Sequence, residues 1–117
     1  MFLSRLKAAA GRLRSIEERT KRIQESLGRI EGRQLQDLPA GDIQAVEFRV
    51  FSQWGEDGIL QHLLRHVKVS RKIFVEFGVE NYTESNTRYL LMNGNWAGLV
   101  IDGSPGNIDY VKRDEIY

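Results

Sequence analysis

The chain has 117 residues, a hydrophobic fraction of 41% and a formal net charge of +1. That length allows one small domain, the apolar content allows a packed core, and the balanced charge argues against a nucleic-acid-binding protein. The absence of cysteine excludes disulfides and thiolate metal sites and agrees with a reducing, cytoplasmic setting.

The charge is unevenly spread. Residues 1–33 carry nine Lys/Arg and four Glu, net +5, whereas residues 34–117 carry eight Lys/Arg and twelve Asp/Glu, net −4. Two parts with different work are expected. No apolar run approaches the ~20 residues of a transmembrane helix. The start, Met1-Phe2-Leu3-Ser4-Arg5-Leu6-Lys7, lacks the uninterrupted apolar stretch of a secretory signal.

Within residues 1–33, Leu6, Ala9, Leu13, Ile16, Thr20, Ile23, Leu27 and Ile30 step alternately by three and four. This is an amphipathic basic helix with a coiled-coil-like seam. Arg12 and Glu17 fall at g and e positions, where they could pair between parallel helices. A homo-oligomer through residues 1–33 is the reading taken forward. The alternatives are a helix packed on its own domain, and peripheral contact with an anionic membrane, since Phe2, Leu3 and Leu6 sit among Arg5, Lys7, Arg12 and Arg14. Gly11 and Gly28 weaken the helix. Residues 34–47, with the breaker cluster Pro39-Ala40-Gly41-Asp42, read as a linker.

Residues 48–117 alternate helical and strand patterns. Residues 52–58 form a turn and a helix start with Asp57 as cap. Ile59, Leu60, Leu63, Leu64 and Val67 make the apolar stripe of that helix. His62 and His66 have a spacing that can bind metal, but no third ligand accompanies them, so they read as solvated residues and no metal site is expected. Ile73, Phe74, Val75 and Phe77 form a strand that ends at Glu76 and Gly78. Thr83 or Ser85 caps the next helix, whose apolar side is Tyr89, Leu90, Leu91 and Met92 and which Asn93-Gly94-Asn95 ends. Residues 96–101 form a second strand closed by Asp102, and Ser104-Pro105 starts a last helix. Trp54 and Trp96 read as core aromatics. The order predicts an α/β fold with a parallel sheet, Rossmann-like but incomplete, since only two strands are evident.

Two acids carry the chemistry. Asp102 follows Gly78 by 24 residues, the placement of an acid that accepts from a ribose hydroxyl pair. Glu76, at a buried strand end, needs a partner, and a ligand hydroxyl or amine is one candidate. The loop lacks Gly-x-Gly-x-x-Gly, and Glu80 would repel a pyrophosphate, which disfavours NAD and FAD. S-adenosylmethionine, with a ribose and no phosphate, fits better. Structural roles stay open: Glu76 paired with Arg88 or Lys72, Asp102 capping the last helix, and Ser85-Asn86-Thr87 as ordinary capping.

Taken together, Ser52-Gln53-Trp54-Gly55-Glu56-Asp57, Val75-Glu76-Phe77-Gly78, Glu84-Ser85-Asn86-Thr87-Arg88-Tyr89-Leu90-Leu91 and Asn95-Trp96-Ala97-Gly98-Leu99-Val100-Ile101-Asp102-Gly103-Ser104-Pro105 resemble the start of FkbM-type methyltransferases. The resemblance spans residues 50–115. It implies the class I methyltransferase fold, S-adenosyl-L-methionine as cofactor, and O-methylation of a sugar or other hydroxyl on a small-molecule or glycan acceptor. It also implies that Glu76 and Gly78 belong to the first cofactor motif and that Asp102 binds the adenosine ribose. By the same resemblance Ser85, Asn86 and Thr87 face the cofactor, and the turn containing Ser52, Gln53, Glu56 and Asp57 helps close the pocket. Glu80 and Asn81 stand where many class I enzymes keep glycines. The expected function is the cofactor-binding half of a methyltransferase, with no catalytic residue assigned. The alternative is a non-catalytic truncated fragment or a coiled-coil-mediated interaction module.

Overall fold

The computed structural model describes residues 1–39 and 41–114. Helix α1 (Phe2–Gln34) is followed by two 3₁₀ turns (Leu35–Asp37 and Gln44–Val46), then α2 (Glu56–His66), β1 (Ile73–Phe77), α3 (Arg88–Gly94), β2 (Ala97–Ile101) and α4 (Pro105–Lys112). The protein is thus mixed helix and strand, with a two-stranded parallel sheet and a long N-terminal helix. β1 and β2 pair from Ile73 opposite Ala97 to Phe77 opposite Ile101, and α3 lies in the connection, since a parallel pair requires a crossover.

Local chemistry sets the element ends. Gly78, at φ +70°, turns the chain out of β1, a conformation glycine takes without steric cost. Asn95 ends α3 in the left-handed region, as a C-terminal cap does. Ser104 accepts the Asn107 N–H at 3.4 Å and Pro105 opens α4, where its missing N–H costs nothing.

The core has two parts. Phe74, Val79, Tyr82 and Val111 pack with Leu91, Trp96 and Val100, and Phe48, Val50 and Tyr89 pack with Leu35 and Phe51. Phe48 meets Tyr89 edge-on at 5.6 Å, a favoured aromatic geometry. The other face of the sheet carries Ile73, Val75, Phe77, Leu99 and Ile101, all exposed. Strands apolar on both faces suit a sheet covered on both sides, and here one side is uncovered.

Helix α1 docks through its C-terminal third. Gly28 is buried there, and a Cβ at this position would collide with Val50 Cγ2 and lie 3.3 Å from Tyr89 Oη. Glycine is required for that close approach. Arg29 Nη1 donates to Asn93 Oδ1 at 3.0 Å, and Arg65 donates to the Gly32 carbonyl. Residues 1–23 are exposed throughout.

Several local expectations are corrected. Asp57 lies inside α2, and Gly55 precedes the helix as its cap residue; the Asp57 carboxylate instead gathers the preceding turn. Trp54 is 74% exposed: the turn is gathered by the Asp57 and Glu56 carboxylates, which bind its N–H groups and leave the indole outside. His62 is 1% exposed and not solvated: it sits on the buried side of α2, edge-on to His66 with ring centroids 4.6 Å apart. Thr83 does not cap α3, which begins five residues later. Among the described residues, no helix is long and apolar enough to cross a membrane, and no group of three or more His, Asp and Glu could hold a metal ion.

Candidate functional site

The connection from β1 to α3 folds into a tight loop. Glu80 and Tyr82, at φ +50° and +62°, join Gly78 in the left-handed region. For side-chain-bearing residues that conformation is strained, and it persists only where the surroundings hold it. The restraints are specific. Gly78 N–H donates to the Ile101 carbonyl at 2.8 Å, and Tyr82 N–H to the Val79 carbonyl at 2.8 Å. Tyr82 is fully buried, and its hydroxyl meets Thr87 Oγ1 at 2.9 Å. Arg88 donates to the Tyr82 carbonyl at 2.8 Å and to Asp114 at 3.2 Å, while its guanidinium lies 5.3 Å from the Phe51 ring centre.

The two acids read from the sequence sit at either side of this loop. Glu76 Oε1 accepts the Asn86 N–H at 3.0 Å and Oε2 accepts the Thr87 N–H at 3.0 Å and the Thr87 hydroxyl. Asn86 and Thr87 are the two residues just before α3, so the carboxylate fixes the entry of the chain into the helix, where a negative charge also complements the helix dipole. Pairing of Glu76 with Arg88 or Lys72 is not observed: Arg88 bridges to Asp114, and Lys72 Nζ donates to the Gly94 carbonyl at 2.9 Å. Asp102 Oδ2 accepts the Glu80 N–H at 2.8 Å, and Oδ1 accepts Ser104 N–H at 2.9 Å and Asn107 Nδ2 at 3.0 Å. Hydrogen bonds from the Asn107 amide first, then from Ser104 and Glu80 N–H, hold its carboxyl below the usual carboxylate range.

The turn before α2 is built on a third acid. Asp57 Oδ2 accepts the N–H groups of Val50, Phe51 and Ser52 at 2.7, 2.7 and 2.8 Å, and Ser52 Oγ accepts Asp57 N–H at 3.0 Å. Glu56 Oε2 accepts Trp54 N–H at 2.9 Å. Burial alone would raise the Glu56 carboxyl, but hydrogen bonds from its own N–H, Trp54, Ser52 and Gly55 outweigh that and lower it. Ser85 N–H donates to the Phe51 carbonyl at 3.1 Å, which ties the turn to the loop.

These links frame an open pocket of about 420 Å³ at the carboxyl end of β1. Of the sequence-derived residues, Gln53, Glu76, Gly78, Ser85 and Asn86 line it. Ser52 and Asp57 are buried behind it, shaping the turn that presents Gln53. Glu56 and Asp102 do not line it, but Asp102 touches its wall through Glu80 N–H. Val79, Glu80, Asn81, Thr83 and Glu84 also line it. The sequence reading placed Glu80 and Asn81 in the cofactor loop without assigning them a contact, and it passed over Val79, Thr83 and Glu84 as site residues, because the left-handed turn at 78–82 brings them round. The wall holds three carboxylates, Glu76, Glu80 and Glu84, and no Lys or Arg among the described residues. Such a wall favours a cationic group and repels phosphate. No protein-family model, curated protein or solved structure matches the chain.

Proposed function

We propose that the chain is the cofactor-binding part of an S-adenosyl-L-methionine-dependent methyltransferase with a class I, Rossmann-like sheet, acting on a hydroxyl of a sugar or other small acceptor. The observation that carries this reading is the acid-walled cavity at the end of β1 with Asp102 at the end of β2 beside it. Its volume, about 420 Å³, is within the usual range for small-molecule pockets. Glu76, Glu80 and Glu84 suit a ligand with an ammonium and a sulfonium. Asp102 has three of its roughly four acceptor sites occupied, so one remains for a ribose hydroxyl. Gly78 lets the backbone come close, and Gln53, Ser85 and Asn86 offer polar contacts around it. The cofactor, when bound, supplies an electrophilic methyl group. The chain's residues orient it and exclude water, the main protein contributions to such a transfer.

Calorimetric titration of the 117-residue protein with S-adenosylhomocysteine tests this, with Asp102→Ala beside it. Binding that weakens about tenfold or more in the variant is expected, since a hydrogen bond to a charged group contributes about 1.5–3 kcal/mol. NADH should not bind, because its pyrophosphate meets the three carboxylates. A folded wild-type chain that ignores S-adenosylhomocysteine overturns the reading. It would then favour a non-catalytic interaction module, which the uncovered sheet face of Ile73, Val75, Phe77, Leu99 and Ile101 also suits.

A further inference from the structure

We infer that the first half of α1 is an anchor for anionic lipid surfaces. Residues 1–23 are exposed on every face, because α1 meets the domain only from Gln24 on, through Gln24, Glu25, Gly28 and Gly32; even at that level the seam residues Leu27 and Ile30 stay exposed. At 3.6 residues per turn that face stands about 110° around the axis from the seam of Leu6, Leu13, Ile16 and Ile23. Among the described residues the apolar stripe is therefore left without an intramolecular partner, which leaves it available to a surface outside the domain.

Charge decides what covers it. The first sixteen residues contain Arg5, Lys7, Arg12 and Arg14 and no acid. Among the described residues none of these four has a carboxylate partner; the ion pair on α1 joins Lys21 to Glu17 at 3.0 Å. Arg5 and Arg12 lie about 100° to one side of the stripe that includes Phe2, Leu6 and Leu13, and Lys7 and Arg14 about as far to the other. Cations flanking an apolar stripe on both sides can extend to phosphates while their stems and the stripe enter the acyl boundary. Thr20, on the same stripe, already donates its hydroxyl to the Ile16 carbonyl at 2.9 Å, so its burial leaves no unsatisfied donor.

A second copy of α1 is a poorer complement. Pairing the seams in parallel brings together two sixteen-residue segments that each carry four cations and no acid, and the attractive contact, Arg12–Glu17, reaches just beyond them. Leu at the a positions 6, 13 and 27 with Ile at the d positions 16, 23 and 30 favours three or four strands over two, which would gather still more like charge. Ala9 and Thr20 thin the seam further.

The test is co-sedimentation of the full chain with vesicles of equimolar phosphatidylcholine and phosphatidylglycerol, against pure phosphatidylcholine. Binding to the anionic vesicles only is expected, lost at high salt. Replacing Arg5, Lys7, Arg12 and Arg14 by Gln should weaken it roughly a hundredfold or more, from about 1 kcal/mol per cation near an anionic surface. Leu6→Asp with Leu13→Asp should abolish it. These substitutions lie outside the packed core, and an unchanged thermal unfolding midpoint checks that. No preference for the anionic vesicles overturns the proposal. So does light scattering that finds a stable oligomer, dissolved by Leu13→Asp, in a chain that leaves both vesicles untouched. Either result is independent of S-adenosylhomocysteine binding.

Discussion

Asp57 illustrates how one side chain can hold a segment that has no regular structure. Its Oδ2 gathers three successive N–H groups, of Val50, Phe51 and Ser52, in a buried setting. Asp57→Ala would orphan them, and each unsatisfied buried group costs about 1–3 kcal/mol. A loss of at least about 3 kcal/mol in urea unfolding is expected, with Asp57→Asn milder. Asp102 acts on the loop at 78–82 in a comparable way, through the Glu80 N–H. Its folded carboxyl lies below the ordinary value, so its hydrogen bonds contribute stability that is complete above about pH 3.9 and is lost as pH falls through the lower folded value. Exchange protection of the Glu80 amide should hold at neutral pH and fall as pH drops through the lowered Asp102 value, below about pH 3.9. In Asp102→Asn that pH step should be absent. Both acids stood out in the sequence, yet the Asp57 partners did not, because its role depends on backbone that folds back toward it.

At the scale of elements, periodicity located the helices and strands, because a stripe every three or four residues and a short β-branched or aromatic run are local properties. The docking of α1 was not legible. Its apolar seam suggested the contact face, whereas the domain meets the small face around Gly28. In an unpacked helix, Gly→Ala gains about 1 kcal/mol. At Gly28 the added methyl collides with Val50 Cγ2, a stiff side chain, and overpacking costs about 1–3 kcal/mol. Gly28→Ala should therefore destabilise the domain in urea. Gly11→Ala, with nothing within 4 Å of its Cβ, should raise far-ultraviolet helicity and leave the domain's midpoint in place. A stabilising Gly28→Ala would mean that α1 does not dock this way in solution.

At the scale of the whole molecule, the 59 × 32 × 21 Å shape leaves two apolar surfaces uncovered: the α1 stripe and the outer sheet face. Phe77, 80% exposed, adjoins Ile101 across the strand pair, as Val75 adjoins Leu99. A contiguous patch of this kind marks an interaction surface. The protein should bind anilinonaphthalene sulfonate in its native state, and Val75→Thr with Phe77→Ser should lower that fluorescence several-fold without changing the secondary-structure spectrum. Unchanged fluorescence would mean that this face is covered in solution.

The sequence by itself determined the helix and strand order, the parallel pairing, the long basic helix and the two acids at the strand ends, since each rests on spacing along a short stretch. Only the tertiary structure decided that Glu76 holds the start of α3, that His62 is buried while Trp54 is not, and that Glu80 and Glu84 join Glu76 around one cavity. Those outcomes depend on where distant backbone returns in space. The left-handed turn at Gly78, Glu80 and Tyr82 directs that return, and hydrogen bonds from other elements hold it there.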